Sequence, residues 1–102
     1  MNKDGDCYEV HGIEVIELSS LGNKTIILCH GQVWHPKLGY HGHSWLEDGS
    51  VCFDISNGHN ICMRKEEYYK LGKIKKVKRY TGKQAAKHML ETETYGPWEK
   101  TK

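Results

Sequence analysis

Residues 41–56 read HGHSWLEDGSVCFDIS, two runs of alternating polar and apolar residues that meet at Asp48-Gly49. Asp-Gly between such runs signals a β-hairpin, because a type I′ turn needs positive φ at both central residues. With Asp48 and Gly49 as the loop, Glu47 faces Ser50, Leu46 faces Val51, Trp45 faces Cys52, Ser44 faces Phe53 and His43 faces Asp54. Directly opposed residues share a face with Cβ atoms roughly 5 Å apart. An imidazole and a carboxylate at that separation can hydrogen-bond, and the carboxylate then fixes the ring's tautomer and stabilises its protonated form. A slip of one residue would turn the two side chains to opposite faces, so the pairing depends on register.

Outward from the hairpin, the chain punctuates itself. Thr25–Val33 (TIILCHGQV) reads as a buried strand and 35–39 (HPKLG) as a loop. Ser56-Asn57-Gly58 is a turn; Arg64 to Leu71 then reads as a short helix stopped by Gly72 at its C′ position. Ile74 to Tyr80 alternates apolar and basic residues as a half-exposed strand does. Thr81 and Gln84 form a capping box that opens a helix to about Leu90, and Pro97 ends that possibility for the tail. The N-terminal stretch 7–19, CYEVHGIEVIELS, points both ways. Its β-branched residues favour strands on propensity. The spacing of Val10, Ile13, Ile16 and Leu21 and the N-cap residue Asp6 favour a helix.

With 102 residues the chain makes one domain, 1–102, with a modest core. No apolar run approaches the ~20 residues of a membrane span, and MNKDGDCYEV carries no apolar h-region. Cys7, Cys29, Cys52 and Cys62 lack the density of a disulfide scaffold, so we expect reduced thiols and a cytoplasmic protein. A net charge of +2 implies no partner by itself.

A His–Asp pair needs a group to activate. Cys29 and Cys52 lie inside strands among apolar neighbours, where a thiol is an inert small hydrophobe, and Cys62 follows Ile61 in a similar setting. Cys7, in Gly5-Asp6-Cys7, would open a helix under the helical reading. There the unpaired amides and the macrodipole favour thiolate, and its own backbone N–H can donate to an oxyanion. Cys7 is the expected nucleophile, His43 the base and Asp54 its orienter.

The order Cys, His, Asp, with GDCYE at 5–9, GHSWLE at 42–47 and VCFDISNG at 51–58, resembles the papain-like and transglutaminase-like thiol hydrolases. The chain is also similar, from Cys7 to Trp98, to small bacterial and phage proteins that share DCYE, GHAWVE, DxSNG, EEYY and a terminal YGPW. The resemblance implies that 7–19 is a helix. It implies an α+β fold, a minimal papain-like domain with a Cys-bearing N-terminal helix packed on a small antiparallel sheet and further helical segments in the C-terminal half. It also implies cysteine-dependent hydrolysis of, or acyl transfer from, a peptide, isopeptide or side-chain amide, with no cofactor and no metal. Trp45 and Asn57 would contact substrate, although Trp45 beside Cys52 is also explained by core packing.

Two other readings compete. Asp4 and Asp6 flank Cys7 and oppose thiolate formation, which suits a silent binding module or a phage-encoded modulator of a host protein. Cys29, His30, His35, His41, His43, His59 and Cys62 could supply zinc ligands, but the spacings of zinc motifs are missing. The basic run KLGKIKKVKR, 70–79, is read as a solvated edge strand that discourages edge-to-edge pairing rather than as a nucleic-acid surface. Trp98 is expected to fold back on the sheet as a hydrophobic latch.

Overall fold

The computed structural model describes residues 6–56, 58 and 60–98. Helix α1 spans Cys7–Ser20, α2 Lys65–Gly72 and α3 Gly82–Thr92; the strands are β1 Ile26–His35, β2 Gly39–Asp48, β3 Val51–Asp54, β4 Ile61–Arg64 and β5 Lys75–Tyr80. They form one antiparallel sheet in the order β4-β3-β2-β1-β5. The expected α+β architecture is the one observed, a Cys-bearing N-terminal helix on a small antiparallel sheet with two later helices.

The two faces of the sheet bury different sets of residues. On one, Leu28, Leu46, Tyr80 and Trp98 pack with Val15 of α1 and Ala85 of α3. On the other, Cys29, Trp45 and Cys52 pack with Tyr68 of α2. The alternation of strand side chains makes this division, since Leu28 and Cys29 are neighbours, as are Trp45 and Leu46.

Residues 7–20 are helical despite their β-branched residues because Cys7, His11, Gly12 and Val15 recur at helical spacing and are the buried ones. Gly12 lets α3 approach closely: a Cβ there would come within 2.5 Å of the Met89 terminal methyl, which would have to move aside. Tertiary burial outweighs the propensity of Val10, Ile13 and Ile16.

The hairpin turn lies one residue later than its sequence suggests. Asp48 pairs with Val51, Glu47 with Cys52 and Leu46 with Phe53, leaving Gly49-Ser50 as the loop with φ +65° at Gly49. Asp48 stays in the strand because its carboxylate accepts from the Thr25 hydroxyl at 2.6 Å and the Asn23 amide at 3.3 Å, tying β2 to the start of β1. Glycine then supplies the single positive φ that a II′ loop needs at its first position. Moving the loop by one residue displaces each opposite partner by two, which preserves the face of every side chain.

Other departures are local. Ile61–Arg64 pairs with β3 as an outer strand that the sequence reading passed over, and Cys62 on it is exposed instead of buried. Gly72 is the last residue of α2, and the left-handed position falls on Lys73 at φ 47°. The capping box forms as expected, with the Gln84 backbone N–H donating to Thr81 Oγ1 at 3.1 Å and the Thr81 N–H to Gln84 Oε1 at 2.9 Å. Trp98 is buried in the core and its indole N–H donates to the Thr94 carbonyl at 3.0 Å. Gly96 makes this return possible, since a Cβ there would lie 2.6 Å from the His30 ring. No helix among the described residues is long and apolar enough to cross a membrane.

Candidate active site

β2 and β3 position the histidine and the carboxylate. Continuing the observed register by one residue sets Asp54 opposite Trp45, so His43 is its diagonal neighbour on the same face. The side chains meet: His43 Nε2 and Asp54 Oδ2 are 2.8 Å apart. Trp45 stacks against the His43 ring, with an interplanar angle of 24°.

Asp54 is buried and fully engaged. Besides His43, its Oδ2 accepts from the Tyr68 hydroxyl at 2.8 Å, while Oδ1 accepts from the Ser56 hydroxyl at 2.9 Å and the Ser56 N–H at 3.3 Å. Burial alone would raise its pKa, but the bonds from His43, Tyr68 and Ser56 and the charge of His43 hold the carboxyl far below its usual range.

Cys7 completes the group. It is 3% exposed at the first turn of α1, and its thiol is close enough to the His43 ring to act on its charge. With Nε2 given to Asp54, Nδ1 is the ring nitrogen left for the thiol. Burial disfavours the charged ring, yet the hydrogen bond to Asp54, the Cys7 thiol and the charges of both outweigh it, raising His43 to about 9. Asp6 gives the helix no side-chain cap.

A second layer ties α1 to the hairpin. The Ser44 hydroxyl donates to the Cys7 carbonyl at 2.7 Å, and His11 Nδ1 lies 3.2 Å from Ser44 Oγ. The Ile55 N–H donates to His11 Nε2 at 3.0 Å, so Nε2 carries a lone pair and the proton sits on Nδ1. Although His11 Nε2 is 3.7 Å from Asp54 Oδ1, this is not an ion pair. Burial lowers His11 to about 4, against the opposing pull of Asp54, and the ring is neutral near pH 7. Ser44, His11, Tyr68 and Ser56 went unnoticed in the sequence. Ser44 follows His43 and Ser56 lies two residues after Asp54, but nothing in a linear pattern distinguishes a supporting hydroxyl from a surface one.

The other thiols are placed for packing or for solvent. Burial pushes Cys29 well above the usual thiol range, and burial with the Glu47 charge pushes Cys52 up to about 12. Cys62 is exposed and lies on the outer strand.

Trp45 requires a correction. It is 0% exposed and its indole N–H donates to Glu47 Oε2 at 3.1 Å, so it supports His43 from beneath instead of walling a substrate cleft. Asn57, the other expected substrate contact, lies outside the described residues, as do Asp4 and His59. Among the described residues no three His, Cys, Asp or Glu side chains are grouped to hold a metal ion. His41 and His43 are neighbours with ring centroids 6.4 Å apart. No family model, curated protein or solved structure matches the chain.

Proposed function

We propose that the protein is a cysteine-dependent hydrolase or acyltransferase acting on a peptide, isopeptide or side-chain amide, with Cys7 as nucleophile, His43 as acid and base and Asp54 as orienter. The observation that carries this reading is the 2.8 Å His43–Asp54 pair on the hairpin, to which Ser44 ties the first turn of α1 by its bond to the Cys7 carbonyl. Its order and placement resemble the papain-like and transglutaminase-like thiol hydrolases. Four unpaired cysteines suit a reducing, cytoplasmic setting.

In this reading the thiol proton of Cys7 passes to His43 Nδ1, Cys7 Sγ attacks the amide carbon, and the carbonyl electron pair moves to the oxygen, where the Cys7 backbone N–H can receive it. His43 gives its proton to the nitrogen as the C–N bond breaks, leaving a thioester on Cys7. Water, or an acceptor amine, then attacks the thioester and loses a proton to His43, and the thiol is restored as the acyl product leaves. The raised His43 suits the first half of this cycle, because the ring holds its proton until the leaving group needs it.

A second reading rests on the burial of Cys7, which is what a silent binding module built on the same framework would retain. Alkylation by iodoacetamide in a Cys62→Ser background separates the two. Cys7 should react in the folded protein at least about tenfold faster than Cys29 or Cys52, and His43→Ala should remove most of that advantage. Cys7 left unmodified until the protein unfolds would establish the binding module.

A further inference from the structure

The β1–β2 connection and the start of β5 bring exposed aromatic rings and lysines together at one end of the sheet. Trp34 and Tyr40 are direct partners across β1 and β2, with ring centroids 5.5 Å apart. They are 40% and 39% exposed, so core packing does not account for them. Lys73 Nζ stands 5.7 Å from the Trp34 ring centre and Lys75 Nζ 4.0 Å from that of Tyr40. The Tyr40 hydroxyl donates to the Lys73 carbonyl at 2.9 Å, binding the segment after α2 to the end of β2. Lys37, Lys76 and Lys78 are exposed nearby in sequence on the same two segments, and none of the five lysines has an ion-pair partner among the described residues.

Such a cluster presents positive charge that the protein itself leaves uncompensated. Each ring contact holds a flexible ammonium group in place. An anion that meets these groups finds part of the ordering already done, which favours binding.

The cluster also lies on the face that carries the start of α1. Tyr40, Gly42 and Ser44 alternate onto one face of β2. Ser44 holds the Cys7 carbonyl, and a Cβ on Gly42 would come within 2.5 Å of the Tyr8 hydroxyl. From Tyr40 to Ser44 is roughly 13 Å along the strand, about four residues of extended chain.

We propose that this platform binds an acidic stretch of polypeptide, which lies about four residues from the amide presented to Cys7. The identification of the ligand as polypeptide rests on the amide reading above. The rings favour it over nucleic acid: base stacking needs open ring faces, and here ammonium groups stand over them. What is offered instead is a set of separate point charges suited to carboxylates.

The experiment is fluorescence anisotropy on Cys7→Ser protein with a labelled peptide carrying a run of glutamates, its glutamine counterpart, and an oligothymidylate of equal charge. The glutamate peptide should bind and the glutamine peptide should not. The affinity should fall about tenfold in the Lys73→Glu/Lys75→Glu variant and weaken with added salt. Equal binding of the glutamine peptide, indifference to the charge reversal, or tighter binding of the oligothymidylate would each overturn the proposal. Alkylation of the parent Cys7 separates the two readings: binding by a protein whose Cys7 is inert removes the amide chemistry and keeps the anionic surface. A reactive Cys7 with no glutamate-peptide binding removes the surface and keeps the chemistry.

Discussion

Asp54 and Glu47 are two buried carboxylates on the same face of the sheet, and each accepts a hydrogen bond from one of two successive tyrosines of α2. Tyr68 serves Asp54 and Tyr69 serves Glu47. Their other partners differ in kind. Glu47 is held by Arg79 at 3.3 Å, Lys65 at 3.6 Å and the Trp45 indole N–H. Burial would raise its pKa, but Tyr69, Trp45 and the two cations bring it below the usual range. Among the described residues Asp54 meets no permanent cation; its charged partner is His43, whose proton can leave. The same helix and the same face therefore build a fixed ion cluster at one position and a titratable one at the other. Chemistry needs the second kind, because a base must change its charge during a reaction cycle.

The largest effect should come from breaking the fixed cluster. Glu47→Ala strips acceptors from Trp45, Tyr69 and Arg79 together and should cost about 3 kcal/mol, read as a lower urea midpoint. Asp54→Asn should cost less, about 1–2 kcal/mol, while slowing Cys7 alkylation at least about tenfold through loss of the ring's orienter. Equal effects of the two substitutions on alkylation would erase the distinction between the clusters.

The pH dependence sharpens it. His43 sits above its ordinary value, at about 9, so its contribution to stability is complete below pH 6.5 and disappears as pH rises through 9. His11 and His30 both sit at about 4 through burial, so stability falls as pH drops from 6.5 towards 4, where the unfolded chain takes up protons that the folded one refuses. Each of the three histidines is worth up to about 3 kcal/mol. His43→Ala should flatten the alkaline limb and leave the acid one. A midpoint that stays level between neutral pH and pH 9 in the parent would contradict the coupled triad.

The tyrosines give the smallest contrast. Tyr68→Phe and Tyr69→Phe should each cost about 1 kcal/mol through a missing donor to a buried carboxylate. Only Tyr68→Phe should move the His43 titration followed by NMR. The shift should be upward, since a carboxylate relieved of one donor gives more of its charge to the ring.

The sequence disclosed the His43–Asp54 contact more securely than the turn beside it. Asp48 was expected in the loop and lies in the strand, because its bonds to Asn23 and Thr25 come from a segment about 25 residues away. The His43–Asp54 pairing survived since the displacement kept the parity of the faces. Residues 7–20 could not be settled by propensity, as the burial of Cys7, His11, Gly12 and Val15 against the sheet and α3 decides them. Four-residue β4 had no alternation long enough to read, and its exposed Cys62 was consequently placed inside. The role of the Tyr68 hydroxyl became visible only once α2 was laid over β3.

The Trp45 indole lies almost parallel to the His43 ring with 6.2 Å between centroids. A protonated imidazole quenches indole emission more strongly than a neutral one, so the protein carries an optical gauge of its own proton inventory. Emission should brighten as pH passes through about 9 and His43 discharges, and the change should vanish in His43→Gln. With exposed Trp34 replaced by Phe to reduce background, a ligand that displaces the shared proton could be followed by light alone, before any product is known.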